Sequence, residues 1–570
     1  MLAKILSYLK KYKLLLVTSI IMAVTNVITL LLIPYLFGMT IDFIIDENNV
    51  NFDKIIFNLT IIGILIIVSS ISSYLMNLTN NKVTYSFIKD IRNDAFEKIE
   101  LLPISYIDKN PKGEIISKII TDTEQLEHGI LMALTQFATG IMTIIGVIII
   151  MITINIWIAL FVILLTPLSL FAAKWISKNA YTSFKLQSEK RAEQTSIIDE
   201  LIGNQKVVCA YNYEEKSLER FNTSNEELSK ASLKATFISS LVNPTTRFIN
   251  SLIYATVALV GSLLTIKNNN ISIGMLVSLL GYANQYTKPF NEITGVIAEL
   301  QNAYACAARI FTLIDEDNET ETPIKTITDT NSITIDNINF SYSKNKELIK
   351  DFSIDVKKGD RIAIVGPTGC GKTTFINLLM RFYDVSSGDI KIGDTSIYEV
   401  SRKDLRSHFG MVLQDTWIRN ATILENLTMG ITDINMDEVI EVCKKVKIYH
   451  FIKQLPNGFN EIVKNDDALL SKGQRQLLCI ARVMLVKPEF LILDEATSNI
   501  DTRTEVIIQE AFKELMKDKT SFIVAHRLST IKECSKIIVM NDGKIVEVGT
   551  HKELLQNKNF YYQMHNAQYK

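Results

Sequence analysis

The segment Arg361-Ile-Ala-Ile-Val365 continues directly into Gly366-Pro-Thr-Gly-Cys-Gly-Lys-Thr-Thr374. The first part is short and rich in β-branched residues, which predicts a buried strand, and the second has the spacing G-x-x-x-x-G-K-[ST]. Glycines at these positions let backbone N–H groups surround phosphate oxygens, and the helix that follows adds partial positive charge. The predicted phosphate-binding residues are Gly366, Pro367, Thr368, Gly369, Cys370, Gly371, Lys372, Thr373 and Thr374.

Two further apolar segments end in residues that are suited to nucleotide hydrolysis. Residues 490–493 form a buried-strand pattern that ends at Asp494 and Glu495. A carboxylate at the end of such a strand is placed to hold Mg²⁺ together with the hydroxyl of Thr373, which predicts this role for Asp494. Glu495 is predicted to act as the general base on the attacking water. His526 follows a third apolar strand and is predicted to contact the γ-phosphate, although taken alone it would be read as a structural histidine.

These segments belong to a predicted α/β domain over residues 332–570. Short β-rich runs alternate with helical patterns, which predicts a largely parallel sheet. The runs lie at residues 333–341, 361–365, 490–493, 521–524 and 537–540. The preceding residues 315–331 are acidic and rich in threonine, which is typical of a linker.

The first half of the chain is strongly apolar. The 570 residues are 48% hydrophobic and 21% charged, which excludes a disordered or collagen-like chain. A net charge of −1 provides no basic field for nucleic acid, and six cysteines are too few for a disulfide scaffold. Because a bilayer crossing takes about 20 apolar residues, the uncharged runs predict an α-helical membrane domain over residues 1–314. Its six predicted spans are 14–41, 56–79, 130–153, 156–176, 248–266 and 273–295.

The positions of lysine and arginine predict how these spans are oriented. The residues before the first span include Lys4, Lys10, Lys11 and Lys13. The segment between the first two spans is acidic, and the segment after the second is again rich in lysine. By the positive-inside rule, both termini are predicted to lie in the cytoplasm, and the protein is predicted to be a multi-pass protein of the cytoplasmic membrane. The long cytoplasmic segments, about 80–129 and 174–247, are predicted to be helical extensions of the spans.

The motif Leu470-Ser-Lys-Gly-Gln474 resembles the LSGGQ signature of ATP-binding cassette (ABC) transporters. With the six predicted spans and the phosphate loop, it makes nearly the whole chain resemble an exporter-type ABC half-transporter of the multidrug and lipid exporter group. The resemblance implies an ATP hydrolase coupled to transport, with ATP and Mg²⁺ as cofactors. It also implies that Tyr342 stacks on adenine, that Gln414 contacts Mg²⁺, that Asp501 lies in a loop crossing to the partner, and that His526 is the switch histidine.

In such transporters ATP lies between the phosphate loop of one domain and the signature of another, so the resemblance implies a dimer. The residues that would contact the partner's ATP are Ser471, Lys472, Gly473 and Gln474. Lys472 replaces the usual glycine, and Cys370 replaces the usual serine of the phosphate loop. Asn465 and Asp467 stand where homodimeric exporters usually carry glutamate and glycine. An altered signature beside an intact Glu495 is similar to one subunit of a heterodimeric exporter, which is favoured over a homodimer.

The transported substrate is not encoded in any motif, and the family implies only an amphipathic or hydrophobic compound, with membrane lipids as neighbours. Lys288 and Glu292 fall near the inner leaflet, where they either face a cavity or, as favoured, pair with each other and seal the helix bundle. The other candidates for the cavity are Arg247, Asn250, Asn284 and Gln285. The alternative functions are a homodimeric lipid flippase and an exporter-shaped importer of a metal chelate, whereas a soluble ATPase acting on DNA conflicts with the predicted spans.

Overall fold

The chain forms two compact units, each made of two separate segments of the sequence. The structure is a computed structural model that describes residues 1–569 except 45–49, 268–270, 320–322, 343–346, 414–415, 430, 432–434, 465–468, 495–500 and 525–530. The first unit comprises Met1–Leu101 and Asn110–Glu316, and the second comprises Leu102–Lys109 and Asp317–Lys570. Residues 102–109, which the sequence assigns to the membrane domain, therefore pack with the C-terminal unit.

The first unit is helical throughout its described residues. Its helices are α1 (Leu2–Lys10), α2 (Lys13–Asp42), α3 (Phe52–Leu101), α5 (Lys112–Ile119), α6 (Thr121–Met132), α7 (Ala138–Ile154), α8 (Ile156–Gly203), α9 (Gln205–Ala210), α10 (Glu214–Ser240), α11 (Val242–Ile266) and α12 (Ile273–Ile314), and α4 (Ile104–Lys109) belongs to the second unit. A π-helical turn, Ala133–Phe137, connects α6 to α7. The long segments after the second and fourth predicted spans are helical, as the sequence predicts.

Within the described residues, four helical stretches are long and apolar enough to cross a membrane. They are Lys13–Asp42, Phe52–Leu101, Lys112–Ile154 and Glu214–Ile266, and Ile156–Pro167 is a shorter apolar stretch. The predicted spans at 156–176 and 273–295 form the first parts of α8 and α12. All six predicted segments are therefore helical, while the number of crossings stays a prediction.

Helices α2 and α12 are joined by polar contacts near Pro34. Proline has no backbone N–H, so the carbonyl of Leu30, one turn earlier, has no partner within α2. The side-chain amide of Gln285 donates to this carbonyl at 3.3 Å, and the hydroxyl of Tyr282 donates to the carbonyl of Leu31 at 2.6 Å. The break in the hydrogen bonding of α2 is thus satisfied by side chains of α12, which fixes these two helices against each other.

The second unit contains two main sheets. Its strands are β1 (Ser332–Phe340), β2 (Ile349–Lys357), β3 (Arg361–Val365), β4 (Ser387–Ile392), β5 (Thr395–Ser396), β6 (Phe409–Val412), β7 (Ala421–Thr422), β8 (Ile462–Val463), β9 (Phe490–Asp494), β10 (Thr520–Val524), β11 (Lys536–Asn541) and β12 (Lys544–Gly549). A six-stranded sheet has the order β12-β11-β3-β10-β9-β6, and a four-stranded sheet has the order β2-β1-β4-β5.

The helices of the second unit pack around these sheets. They are α13 (Lys372–Leu379), α14 (Arg402–Ser407), α15 (Ile423–Leu427), α16 (Met436–Lys445), α17 (Tyr449–Gln454), α18 (Lys472–Val486), α19 (Thr502–Leu515), α20 (His551–Asn557) and α21 (Phe560–Tyr569). One hydrophobic core lies between the strands and α18 and α19, and a second includes α13 and the inner face of the four-stranded sheet.

The prediction of a largely parallel sheet is right for the larger sheet and wrong for the strand at 333–341. Strands β3, β6, β9, β10 and β11 are joined by parallel pairings, and only β12 is antiparallel to its neighbour. Strand β1, in contrast, pairs antiparallel with both β2 and β4. The reason is visible in its burial, because its residues alternate between buried and more exposed positions, as in a sheet with one face open to solvent.

Candidate nucleotide-binding site

The predicted nucleotide residues are brought together at one edge of the six-stranded sheet. Val524 at the end of β10 pairs in register with Ile364 of β3 and with Asp494 of β9. The phosphate loop follows β3 directly, so the loop and Asp494 lie at the same carboxyl edge of neighbouring parallel strands. Ligands of open α/β sheets bind at this edge, because loops and helix N-termini converge there.

The glycines of the phosphate loop have backbone conformations that other residues rarely adopt. The φ angles are +156° at Gly366, +84° at Gly369 and +107° at Gly371. A Cβ atom at Gly366 would lie 2.2 Å from the carbonyl oxygen of Met540 and 2.7 Å from the Sγ of Cys370. Gly366 therefore allows the loop to pass directly against β11, and a side chain cannot fit there without moving the backbone.

Lys372 occupies the hollow of this loop. Its ammonium donates to the carbonyl of Gly366 at 2.7 Å and to the carbonyl of Pro367 at 3.0 Å, and its side chain is largely buried. Among the described residues, no carboxylate forms an ion pair with this ammonium, so Lys372 is poised to exchange the two carbonyls for phosphate oxygens. The buried Sγ of Cys370 is 3.8 Å from the same ammonium.

The remaining residues of the loop are accessible. Pro367, Thr368 and Gly369 are exposed along the loop, whereas Thr374 is buried within α13. Thr373, in the first turn of α13, is exposed, and Asp494 is half-buried at the end of β9. Both offer oxygen atoms, which are the donors that Mg²⁺ prefers.

Tyr342 is placed by an aromatic cluster at the end of β1. Its ring is 44% exposed and lies edge-on to Phe340 and Tyr383, with ring centroids 4.8 Å and 4.9 Å away. The side-chain amide of Asn377, on the helix that follows the phosphate loop, is 3.3 Å from the Tyr342 hydroxyl. The exposed ring is thus available for stacking on a flat base, and Asn377 connects it to the phosphate-binding segment.

The signature motif begins helix α18. The Ser471 hydroxyl accepts from the Gln474 N–H at 3.2 Å, and the Gln474 side chain accepts from the Ser471 N–H at 2.8 Å. This reciprocal cap fixes the first turn, and the helix N-terminus carries partial positive charge. Ser471 and Lys472 are exposed, whereas Gly473 is buried. The first turn of α18 therefore presents hydrogen-bond donors and a lysine to the surroundings of this chain.

Asp501 has a structural role at the start of α19. Its carboxylate accepts from the Thr504 N–H at 2.9 Å, and this hydrogen bond holds the pKa of Asp501 below its usual range. Three other predicted residues, Gln414, Glu495 and His526, lie outside the described residues, as do Asn465 and Asp467.

Comparison with known proteins supports the same interpretation of both units. Residues 16–290 match the family description "ABC transporter transmembrane region", and residues 349–498 match "ABC transporter". The ABC transporter ATP-binding protein YfiC of Bacillus subtilis, described as uncharacterized, is 34% identical over 571 residues, which cover 100% of this chain and 94% of that protein. The chain belongs to the ABC transporter family.

Other ABC relatives identify it as an exporter-type half-transporter. The "Fatty acid ABC transporter ATP-binding/permease protein" of Mycobacterium tuberculosis is 38% identical over 86% of this chain and 78% of that protein. A "Putative multidrug export ATP-binding/permease protein" of Bacillus subtilis is 32% identical over 98% of this chain and 97% of that protein. The structure of a bacterial Atm1-family ABC exporter with ATP bound has a TM-score of 0.80, with 25% identity and 98% of both chains covered. The predicted family, fold class and ATP-driven export are thereby confirmed.

The predicted cavity residues of this ABC transporter lie on α11 and α12. Asn284, Lys288 and Glu292 are exposed and follow each other at intervals of four along α12, which places them on one helix face. Arg247 is exposed on α11, and Gln285 is engaged with Leu30 of α2. Across the described part of the chain, no ion pair joins Lys288 to Glu292, so the sealing pair favoured from the sequence is absent from this structure.

Two residues of the ABC site were missed by sequence reasoning. Tyr383 touches Tyr342, as described above, and the Tyr383 hydroxyl donates to the carboxylate of Asp108 at 2.5 Å. The two residues are 275 positions apart, and no motif connects them. The only local signal is that Asp108 lies in a short segment bracketed by Pro103 and Pro111, which indicates a separate structural element.

Proposed function

We propose that the chain is one subunit of a heterodimeric exporter that moves an amphipathic substrate across the cytoplasmic membrane. Export powered by ATP follows from the family, whereas the partner, the substrate and the roles of individual residues are proposals. The observation that carries the dimer is the exposed, capped signature at Ser471, which offers anion-binding groups at a helix N-terminus.

In this proposal the phosphate loop holds ATP through its N–H groups and the ammonium of Lys372. Thr373, Asp494 and Gln414 would hold Mg²⁺, which would neutralise the charge that develops on the phosphate during transfer. Glu495 takes a proton from the attacking water, and His526 contacts the γ-phosphate. The chain segments of Glu495 and His526 directly follow β9 and β10, whose ends meet beside the loop.

The exposed surface of the first unit also supports a dimer. Helix α9 and the residues after it form a tip between the long helices α8 and α10, and Tyr211 at this tip is 80% exposed. Val207 and Tyr213 are exposed there as well. Exposed apolar side chains at a tip outside the predicted spans are typical of a surface that a second subunit covers.

The choice of a heterodimer rests on the altered signature. If the signature of each subunit serves the ATP bound to the other, Lys472 acts at the partner's site. Glu495 acts at the site of this chain, which is completed by the partner's signature. One ATP site of the pair would then be competent and the other impaired. Asp501, near this region, would lie at the boundary with the partner.

The lysine distribution supports cytoplasmic termini, and the relatives support an amphipathic substrate. Lys288 and Glu292 are charged side chains on a largely apolar helix, and both are exposed on the surface of this chain. A charge in such a segment is stable when it faces water or a partner rather than lipid. A cavity with Lys288, Asn284 and Arg247 could hold the carboxylate of a fatty acid, the substrate named for one relative.

The test of this proposal is ATP turnover by the purified full chain in lipid, alone and mixed with candidate half-transporters. We expect turnover only in a mixture, with Lys472→Gly leaving that turnover nearly unchanged because Lys472 serves the impaired site. In a homodimer every site would contain Lys472, so the same substitution would change the turnover of the chain alone. Full turnover of the chain alone would therefore contradict the heterodimer.

The test of the cavity is the stimulation of ATP turnover by a long-chain fatty acid. We expect Lys288→Gln to lower this stimulation by about threefold or more, the loss expected for one charge-assisted contact, while basal turnover is kept. Glu292→Gln should alter the stimulation as well, because it changes the net charge of the same helix face. Lys267→Gln, the same change at the exposed end of α11, is the matched control. Unchanged stimulation in both cavity variants would show that these residues serve the helix bundle instead.

A further inference from the structure

The aromatic cluster at the end of β1 is connected to a helix far away in the sequence. Tyr383 lies between Tyr342 and helix α4, with its ring 4.9 Å from that of Tyr342 and 5.7 Å from that of Phe340. Its hydroxyl donates to Asp108 of α4 at 2.5 Å, a distance typical of an O–H group bonded to a charged carboxylate. The second unit therefore contains a continuous path from Asp108 through Tyr383 to the exposed ring of Tyr342.

The backbone around Tyr383 is held rigidly. The buried guanidinium of Arg381 donates to Asp384 at 3.0 Å and to the carbonyls of Ile397 and Val400 at 2.8 Å and 3.0 Å. The carboxylate of Asp384 also forms an ion pair with the guanidinium of Arg402, with 3.1 Å between Oδ2 and Nη2. Because Tyr383 lies between these anchored residues, its backbone is held in place, and its ring is oriented by the bond from its hydroxyl to Asp108.

The contact with Asp108 also affects the pKa of Tyr383. Burial, and then the hydrogen bond to Asp108, raise the pKa of Tyr383 above its usual value. The hydroxyl therefore remains a donor to the carboxylate at physiological pH. Asp108 itself is exposed, so the bond depends on α4 staying in place rather than on a closed core.

We propose that Tyr383 is a positioning residue for the adenine base, and that its bond to Asp108 makes base affinity depend on helix α4. The proposal rests on the stacking role proposed above for Tyr342. Tyr383 supports one edge of the Tyr342 ring, and Asn377 and Phe340 support the others. Loss of the Tyr383 support lets the Tyr342 ring turn, which weakens stacking on the base but leaves the phosphate contacts of the loop intact.

The test compares ligands with and without a base on the full chain. ATP, GTP and inorganic triphosphate are each used to displace a fluorescent ATP analogue, and each displacement gives an affinity. We expect Tyr383→Leu to lower ATP affinity by about three- to tenfold, the range of an aromatic pair, and to lower GTP affinity similarly, because either purine stacks on the Tyr342 ring. The affinity for triphosphate should not change, which separates base positioning from damage to the phosphate loop.

Two smaller substitutions test the bond itself. Tyr383→Phe removes only the hydroxyl, and Asp108→Asn keeps the shape but removes the charge. We expect each to lower ATP affinity by about two- to threefold, and the double variant to be no worse than either alone. Tyr449→Phe, on a distant helix of the same unit, is the matched control and should leave all affinities unchanged.

The outcomes separate the inference from the role of Tyr342. If Tyr342→Leu lowers ATP affinity but the Tyr383 and Asp108 variants do not, the positioning role is overturned and stacking by Tyr342 stands. If Tyr342→Leu leaves the affinity for ATP relative to triphosphate unchanged, the stacking role fails, and the inference fails with it. Additive effects of Asp108→Asn and Tyr383→Phe would overturn the link through α4. Should Tyr383→Leu not fold, Tyr383→Phe and Asp108→Asn still decide the question.

Discussion

Substitution of Glu495 by glutamine is expected to lower ATP turnover by about two to four orders of magnitude, the usual contribution of a general base. Glutamine keeps the size and hydrogen bonding of the side chain but cannot accept a proton from the attacking water. ATP binding should be retained, because the phosphate loop and Lys372 are untouched. The measurement is phosphate release by the active pair, together with ATP affinity measured by displacement of a fluorescent analogue.

The matched control is Glu489→Gln at the opposite end of β9. Glu489 is exposed and its carboxylate is 3.2 Å from Nδ1 of His408, so this substitution makes the same chemical change away from the nucleotide. We expect its turnover to stay within about twofold of the unsubstituted pair, as is usual for surface changes. Turnover above about a tenth of normal in Glu495→Gln would assign the proton transfer to another group.

Substitution of Gly366 by alanine is expected to lower ATP affinity by about tenfold or more. The new Cβ would lie 2.2 Å from the carbonyl oxygen of Met540, and the φ angle of +156° is rarely adopted by alanine. The loop must therefore move away from β11, which displaces the N–H groups that surround the phosphates. The measurement is ATP affinity of the full chain by the same displacement assay.

The substitution Gly359→Ala distinguishes the two effects expected at Gly366, the steric contact with Met540 and the strain of a positive φ angle. Gly359 also has a positive φ angle, +81°, but no atom lies within 4 Å of a Cβ built there. Alanine at Gly359 should therefore destabilise the unit by about 1–2 kcal/mol through the backbone alone, without a change in ATP affinity. An equal loss of affinity in both variants would mean that general destabilisation, rather than the contact with Met540, explains the effect at Gly366.

The parts of the site that the sequence predicts are those encoded by neighbouring residues. Strand β3 has the predicted bounds, Arg361–Val365, and α13 begins at Lys372, because a β-branched run and the glycine spacing fix a strand, a loop and a helix in succession. The Ser471 and Gln474 pair could also have been predicted to begin a helix, since serine followed three residues later by glutamine is a capping signal.

Other features depend on contacts between distant residues and leave no local pattern. The antiparallel pairing of β1 with β4 and β2 was missed because the alternation of isoleucine with polar residues indicates a strand with one exposed face but does not identify its partner strands. The contact of Tyr383 with Asp108 joins a half-buried tyrosine and an exposed aspartate. Neither residue belongs to a sequence pattern that would predict the contact. Pro34 leaves the carbonyl of Leu30 without a partner in α2, which the sequence does predict. The sequence does not identify Gln285 of α12 as the donor that satisfies this carbonyl.

The discontinuity of the second unit has a consequence for the order in which the chain is made. Residues 102–109 leave the ribosome long before residues 317–570, with which they pack, so α4 waits without its partner while the first unit is completed. A fragment that starts at Asp317 lacks Asp108, and its Tyr383 hydroxyl has no carboxylate to bind. Nucleotide affinities measured on such a fragment would therefore lack the contribution that we propose for the bond between Tyr383 and Asp108.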